Sequence, residues 1–383
     1  MFNTSIIEIN KPALEKNLKF LRNHVGKEVK ISSVVKSNAY GHGIEEFVPI
    51  AEECGIEHFA TFSTDEAFRV FNVKQPGTEL MIMGWLDNDG LEWAIENDLE
   101  FYVFDLERLT KALRFASAMK KKAKIHIEIE TGMNRTGFKY QDLKKLVNII
   151  NDNREHFRVM GLCTHFAGAE AISNHVRVQR QIGRFRKISK WFSGKCVEPE
   201  MFHTASSAAT INYPKTHLDM VRIGILQYGF WPSTETFIHY IHRRKDKSDP
   251  LDRVITWKSK VMSIKTVEQG EFISYGTTYL ATEKKKIAIV PTGYSDGYSR
   301  SLSNQGRVLI RGQRVGVIGM VNMNMLIADV TYLPDIRLGD EVVLIGRQGE
   351  SEISVAAFGE FSSQMNYELL ARLPEDINRK IIQ

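Results

Sequence analysis

The sequence predicts an α/β protein in which an N-terminal (β/α)8 barrel is followed by a mostly antiparallel β domain. Between residues 29 and 230, short apolar runs alternate with longer amphipathic stretches, as in eight strands that are each followed by a helix. After residue 240, strand signals follow one another quickly and Gly-containing turns separate several of them. A chain of 383 residues also suits two domains. We therefore expect a barrel over residues 1–240 and a β-rich domain over residues 241–383, with residues 1–10 able to pair with the β domain.

The elements of the barrel follow from the spacing of apolar residues. A strand is expected over Thr4–Ile9 and a helix over Lys11–Val25. The expected barrel strands are Val29–Val35, His58–Phe62, Leu80–Gly84, Phe101–Phe104, Lys124–Glu130, Val159–Thr164, Met201–His203 and Met220–Ile225. The amphipathic stretches between them include Ile44–Cys54, Thr64–Phe71, Leu106–Met119, Tyr140–Asn151 and Asn174–Trp191. An open doubly wound sheet is the alternative, but its dinucleotide-binding version is disfavoured because no Gly-x-Gly-x-x-Gly follows the first strand.

The β domain follows an exposed, charged connection over residues 242–252. Its expected strands are Val254–Val267, Lys286–Val290, Arg307–Ile310, Arg314–Ile318, Leu326–Val330 and Glu341–Ile345. A helical piece over Val355–Leu373 is expected near the end of the chain.

The composition excludes several classes of protein. The net charge of +5 is scattered, without a stripe of arginines and aromatics or a zinc-finger spacing, so we expect no nucleic-acid partner and no metal. No apolar run approaches the ~20 residues of a membrane span, and the N-terminus has no secretory signal pattern. Cys54, Cys163 and Cys196 lie far apart and form no CxxC pair, so small buried thiols in a reducing compartment are expected. We expect a cytoplasmic protein.

One lysine stands out, in the run Val34–Gly43 (VVKSNAYGHG). An apolar strand ends in Lys36 and the chain then turns through Ala39, Tyr40 and Gly41. Burying an ammonium group is costly. The cost is avoided if Lys36 forms an imine with an aldehyde cofactor. The alternative is a strand that ends in a solvated lysine.

Further polar residues follow other barrel strands, where active sites of this fold lie. They are Arg135 after the fifth strand, His165 after the sixth, Ser206 and Ser207 after the seventh, and Arg222 within the eighth. Backbone N–H groups of Gly224 and Ile225, with the Ser207 hydroxyl, are candidate phosphate ligands. Together these positions predict a site around one rim of the barrel.

The fifth strand has polar residues on one face. His126, Glu128 and Glu130 alternate with isoleucines, which should face the surrounding helices, so the polar set should face the barrel interior. A buried carboxylate needs a partner, and Arg135 is the candidate for Glu128.

With these residues assembled, the chain resembles the alanine racemases, the barrel-type (fold type III) family of pyridoxal-phosphate (PLP) enzymes. The resemblance covers nearly the whole chain in the right order. It includes the Lys36 motif, Thr-Gly-Met-x-Arg at Arg135, His-Phe-Ala at His165, Arg-x-Gly at Arg222, Ser-Tyr-Gly at Tyr275, Gly-Tyr-x-Asp-Gly-Tyr at residues 293–298 and Gly-x-Val-x-Met at Met323.

The resemblance implies a role for each matching position. Lys36 would form the Schiff base and act as one acid/base, and Tyr275 of a partner subunit would be the second, so a homodimer is implied. The substrate would be an amino acid, alanine, and the product would supply D-alanine for peptidoglycan. Arg222 would bond the pyridine nitrogen with support from His165. The remaining implied contacts are Tyr40, Ser207, Gly224, Ile225 and Tyr367 near the phosphate, Arg135 near the phenolic oxygen, and Arg135, Met323 and Asn324 at the substrate.

The chain also departs from the family pattern. Glu128 replaces a common lysine, Asn324 replaces an aspartate, and Glu375 and Asp376 lie where neutral or basic residues are usual. A racemase for serine or for a broader set of amino acids is therefore an alternative. A PLP-dependent decarboxylase is disfavoured by Arg222, and a non-catalytic PLP-binding protein is disfavoured by the second domain.

Overall fold

The computed structural model describes residues 3–195, 197–242, 244–355 and 366–383. The chain divides into two compact units, one formed by 14–36 with 48–252 and the other by 1–13, 37–47 and 253–383. Among the helices in the described ranges, none has both the length and the apolar character of a membrane span. Cys54 and Cys163 are thiols, whereas Cys196 lies outside the described residues.

Strand β1 (Ser5–Asn10) belongs to the second unit, and the next eight strands form the barrel of the first. Neighbouring strands are parallel, and β9 pairs with β2 from Lys30↔Met220 to Ser33↔Ile223 to close the ring. This confirms the predicted (β/α)8 barrel. The barrel strands are β2 (Lys30–Val34), β3 (His58–Ser63), β4 (Glu79–Trp85), β5 (Glu100–Val103), β6 (Ala123–Glu128), β7 (Phe157–Cys163), β8 (Met201–Ser206) and β9 (Met220–Ile223).

The helices follow the amphipathic stretches of the sequence. In Leu106–Met119, buried Leu109, Ala112 and Ala116 recur at helical spacing, and the Asp105 carboxylate accepts a hydrogen bond from the Arg108 N–H at the helix start (2.8 Å). The other helices are Lys11–Val25, Ile44–Glu53, Thr64–Val73, Asn88–Glu96, Leu143–Asp152, His175–Phe192, Ser207–Asn212, Thr234–His242 and Asn366–Ala371.

Within the described ranges, the second unit forms two sheets. The larger has the order β14-β13-β16-β10-β1-β18 with β17 on β16, and the smaller has the order β11-β12-β15. All these pairs are antiparallel except β1 with β18. The predicted mostly antiparallel β domain is therefore confirmed. Its later strands are β10 (Ile255–Lys260), β11 (Ser263–Val267), β12 (Lys285–Val290), β13 (Arg307–Ile310), β14 (Gln313–Gly316), β15 (Leu326–Asp329), β16 (Glu341–Gln348), β17 (Ser351–Ile353) and β18 (Asn378–Ile382).

One predicted strand was wrong in its extent. Val254–Val267 is two strands, because the Val261 N–H bonds to the Asp340 carbonyl and the Met262 N–H bonds to the Ile289 carbonyl. The chain passes from one sheet to the other at these two residues. Of the predicted helical piece Val355–Leu373, residues 356–365 lie outside the described part and Asn366–Ala371 is helical.

Candidate active site

Lys36 directly follows the first barrel strand. The Val35 N–H donates to the Ala60 carbonyl (2.9 Å), which continues the strand pairing up to the lysine. The four residues after Lys36, Ser37 to Tyr40, all have left-handed backbone angles, with φ of 53, 53, 52 and 52°. Such angles cost about 1–2 kcal/mol for each L residue, and strained backbone of this kind clusters at functional sites.

The surroundings of Lys36 favour its neutral amine. Burial lowers the pKa of Lys36, the positive charge of Arg135 lowers it further, and Glu66 opposes both. An amine that loses its proton more easily is a better nucleophile toward an aldehyde.

Arg222 is buried in β9 and held by three hydrogen bonds. Its Nη1 donates to His203 Nδ1, and its Nη2 donates to the carbonyls of Thr164 (2.8 Å) and Thr204 (3.1 Å). These bonds use three of the five donors of a guanidinium. Within the described residues the Nε–H and one Nη1–H have no partner, so Arg222 can still donate two hydrogen bonds.

The predicted support of Arg222 by His165 was wrong in detail. No hydrogen bond joins the two side chains in the described part of the chain, and the histidine that contacts the guanidinium is His203. His165 is half-buried, and burial together with the charges of Arg222, Arg135 and Lys36 lowers its pKa to about 3. It is therefore a neutral imidazole close to the two arginines of this rim.

The predicted phosphate ligands of β8 and β9 lie together. Ser207 starts a short helix, and its hydroxyl accepts a hydrogen bond from the Gly224 N–H (3.0 Å). Ile225 is 3% exposed, and its N–H donates no hydrogen bond within the described residues. Buried amides are almost always paired, so the unpaired Ile225 amide fits a ligand with acceptor oxygens.

Glu128 lies inside the barrel as predicted, but Arg135 is not its direct partner. The side chain is 5% exposed and hydrogen-bonds to Thr136, whereas Arg135 is exposed and, in the described structure, forms no ion pair with it. Burial raises the pKa of Glu128, while Thr136 and the charges of Arg135 and Arg222 oppose the rise.

Tyr40 and Tyr367 belong to the second unit. Tyr40 is half-buried at the end of the left-handed turn, and the following Gly41 contacts Leu370, whose carbonyl oxygen would lie 2.1 Å from an added Cβ. The side chain of Tyr367 lies outside the described residues.

Tyr275, Met323 and Asn324 lie on exposed loops of the second unit. Ser274, with a φ of 68°, donates from its hydroxyl to the Met320 carbonyl (2.8 Å) and to Asn322 Oδ1 (3.1 Å), which joins the Tyr275 loop to the Met323 loop. Tyr275 is 71% exposed and Met323 is 55% exposed.

The Met323 loop is held by Ser295. The Met323 carbonyl accepts from the Ser295 N–H (3.0 Å) and hydroxyl (2.7 Å), and the Asn324 amide donates to the Ser295 hydroxyl (2.9 Å). In the described part of the chain the Met323 N–H makes no hydrogen bond. It is therefore available to a carboxylate.

Comparison with known proteins identifies the family. The model of the alanine racemase N-terminal domain matches residues 9–232, and that of the alanine racemase C-terminal domain matches residues 254–381. The chain belongs to the alanine racemase family.

Individual relatives agree with the family models along the whole chain. The alanine racemase of Halothermothrix orenii is 34% identical over 383 residues, covering 98% of this chain and 97% of the relative. A crystal structure of alanine racemase from Bacillus anthracis, with bound L-Ala-P, has a TM-score of 0.90 at 30% identity and covers 100% of this chain and 96% of that one. The alanine racemase of Bartonella henselae, crystallised with covalently bound pyridoxal phosphate, has a TM-score of 0.86 at 23% identity, with 100% of both chains covered.

The racemase barrel also holds a group of side chains that sequence reasoning missed. His126 Nδ1 lies 2.9 Å from His203 Nε2, and His126 Nε2 lies 2.7 Å from a carboxylate oxygen of Glu100, which His58 Nε2 approaches to 3.3 Å. All four side chains are buried. In the sequence, these four residues are polar positions in four apolar strands. Only His126 was singled out from the sequence.

Proposed function

We propose that this chain is a PLP-dependent racemase that interconverts L- and D-alanine. The observation that carries the proposal is the rim of the barrel, where Lys36 with a lowered pKa, Arg222 with spare donors and the unpaired Ile225 amide lie in one unit. Lys36 matches the aldehyde of the cofactor, Arg222 matches its ring nitrogen, and the Ile225 amide matches its phosphate.

The proposed residue roles follow from the chemistry of racemisation. The proton on Cα must leave one face and return on the other, so two acid/base groups are needed, and we assign these roles to Lys36 and Tyr275. Bound PLP would delocalise the electron pair left on Cα. Arg222 does not readily give up a proton, so it would keep the ring nitrogen unprotonated and restrain side reactions. Arg135 and the Met323 N–H would bind the substrate carboxylate.

The proposed active form is a homodimer. Tyr275 is exposed on its own chain, and enrichment of tyrosine at interfaces is a general property of protein–protein contacts. A second copy would therefore supply the phenol. We further propose that the enzyme works in the cytoplasm, where Cys54 and Cys163 would stay reduced, and that its product serves peptidoglycan synthesis.

The decisive experiment follows L-alanine in heavy water with the PLP-loaded protein. We expect deuterium at Cα together with loss of optical purity, starting from either enantiomer. L-Serine, run in parallel, tests the broader racemase, and carbon dioxide release from ornithine or lysine tests the decarboxylase. The proposal is wrong if alanine takes up no deuterium, or takes it up without change of configuration.

A further inference from the structure

The buried side chains of the barrel form a continuous hydrogen-bonded chain that ends on Arg222. Its order is Ser32–His58–Glu100–His126–His203–Arg222, with the Ser32 hydroxyl 2.9 Å from His58 Nδ1. We infer that Glu100 is a positioning residue for Arg222, acting through His126 and His203. This inference rests on the proposed function, because it concerns the arginine assigned there to the ring nitrogen of the cofactor.

The proton positions in this chain are forced by donor chemistry. A guanidinium only donates, so His203 Nδ1 must accept from Arg222. The single proton of the neutral His203 ring is then on Nε2 and is donated to His126 Nδ1. The His126 proton is consequently on Nε2 and is donated to Oε2 of Glu100, the same oxygen that His58 Nε2 approaches.

The charges of the groups agree with this order. Burial would raise the pKa of Glu100, but the bonds from His126 and His58 outweigh it and hold the pKa well below its usual range. Burial and the neighbouring Arg222 hold the pKa of His203 well below its usual range. The hydrogen-bonded chain thus has a guanidinium at one end, a carboxylate near the other and the neutral ring of His203 beside the guanidinium.

Gly161 provides the space that the hydrogen bond between His126 and His203 requires. It lies on β7 between the strands of the two histidines, and a Cβ added there would lie 2.4 Å from His126 Nδ1 and 3.0 Å from His203 Nε2. The bond between the rings passes through the volume that any larger residue would occupy. Glycine at this position is therefore part of the arrangement.

Glu100 fixes the direction of the chain because it can only accept. Without a carboxylate there, the buried His126 Nε2–H has no acceptor, and the ring is free to adopt its other tautomer. A reversed chain would place a proton on His203 Nδ1, facing the N–H groups of Arg222. The guanidinium would then lose the contact that sets its position.

The test compares two variants that interrupt the chain at different links. Glu100→Leu removes both acceptor oxygens while keeping a side chain of similar size, and Gly161→Ala separates His126 from His203 without changing either. Glu200→Leu is the matched control, since Glu200 is exposed and is bonded to Arg158 outside the hydrogen-bonded chain. Thermal unfolding establishes that each variant is folded.

The first readout is independent of activity and cofactor. Nitrogen-15 NMR of histidine-labelled protein reports which ring nitrogen carries the proton. In the parent protein and in Glu200→Leu we expect His126 and His203 protonated only at Nε2. In Glu100→Leu and Gly161→Ala we expect the Nδ1-protonated form to appear. A parent His203 protonated at Nδ1, or a Glu100→Leu spectrum unchanged from the parent, overturns the inference.

The second readout is kinetic and uses the PLP-loaded enzyme. We expect each interrupting variant to lower kcat about 10-fold with little change in KM. This is typical of residues that orient a functional group without contacting the substrate. In an Arg222→Lys background, Glu100→Leu should cause no further loss, because its effect passes through Arg222. A fully additive loss overturns the inference. If the parent protein binds no PLP and racemises no amino acid, the proposed function fails. The NMR result then still decides whether the hydrogen-bonded chain from Glu100 to Arg222 is present.

Discussion

Arg379 should be one of the strongest stabilising residues of the second unit. It is 8% exposed, and all five of its donors bond to backbone carbonyls: those of Gly41 (3.1 and 3.0 Å), Glu375 (2.9 Å), Ile377 (2.7 Å) and Pro374 (3.0 Å). Replacing Arg379 with Met fills most of the space but leaves four carbonyls without this donor. At about 1 kcal/mol for each carbonyl, the free energy of unfolding should fall by about 4 kcal/mol.

The measurement is thermal and denaturant unfolding of Arg379→Met. A loss of this size corresponds to a midpoint roughly 8–16 °C lower for a unit of this length. Arg379→Lys should recover only part of the loss, because an ammonium lacks the planar fork that reaches carbonyls on both sides. The control is Lys380→Met on the next, exposed position of β18, which should change little. An Arg379→Met protein within about 0.5 kcal/mol of the parent would refute the reasoning.

Three further predictions concern the site. Lys36→Ala should abolish the absorbance of covalently held PLP, and the idea fails if a variant purified with PLP keeps the parent spectrum. Tyr275→Phe should slow Cα proton exchange chiefly from one enantiomer, and full activity in both directions would contradict the two-base assignment. Glu128→Gln should raise the thermal midpoint more at pH 8 than at pH 4. The folded-state pKa of Glu128 is raised, so its ionisation costs stability only as the pH rises through that pKa; an equal effect at both pH values would exclude this explanation.

Local sequence was sufficient to predict the barrel and to find polar residues at the ends of its strands. The strands are short apolar runs of similar length, so their alternation with helical spacing is visible without knowledge of contacts. Lys36 and Arg222 were identified because a polar residue at the end of an apolar strand is unusual, and the fold places such ends around one rim. Strand boundaries differed by a few residues, as the end of β6 at Glu128 rather than Glu130 shows.

Contacts across the barrel could not be read in the same way. The family resemblance implied His165 as the support of Arg222, whereas the histidine bonded to the guanidinium is His203 on the neighbouring strand β8. Which side chains share a layer depends on the stagger of the strands, and Glu100, His126 and His203 come from three different ones. The bonds of Arg379 to Gly41 span 338 positions, and no local pattern indicates them.

The turn that follows Lys36 is strained, and hydrogen bonds hold it in place. Four left-handed L residues cost several kcal/mol, at about 1–2 kcal/mol each, and they persist only if other bonds hold them. The N–H groups of Gly41, His42 and Gly43 bond back to the carbonyls of Ser37, Ala39 and Asn38 at 3.0–3.1 Å. The Asn38 side chain accepts from the Ile44 N–H (3.1 Å). Because the strand fixes the chain before Lys36 and these bonds fix it after, the flexible lysine side chain starts from a single backbone position, as the cofactor-anchoring and proton-transfer roles proposed for Lys36 require.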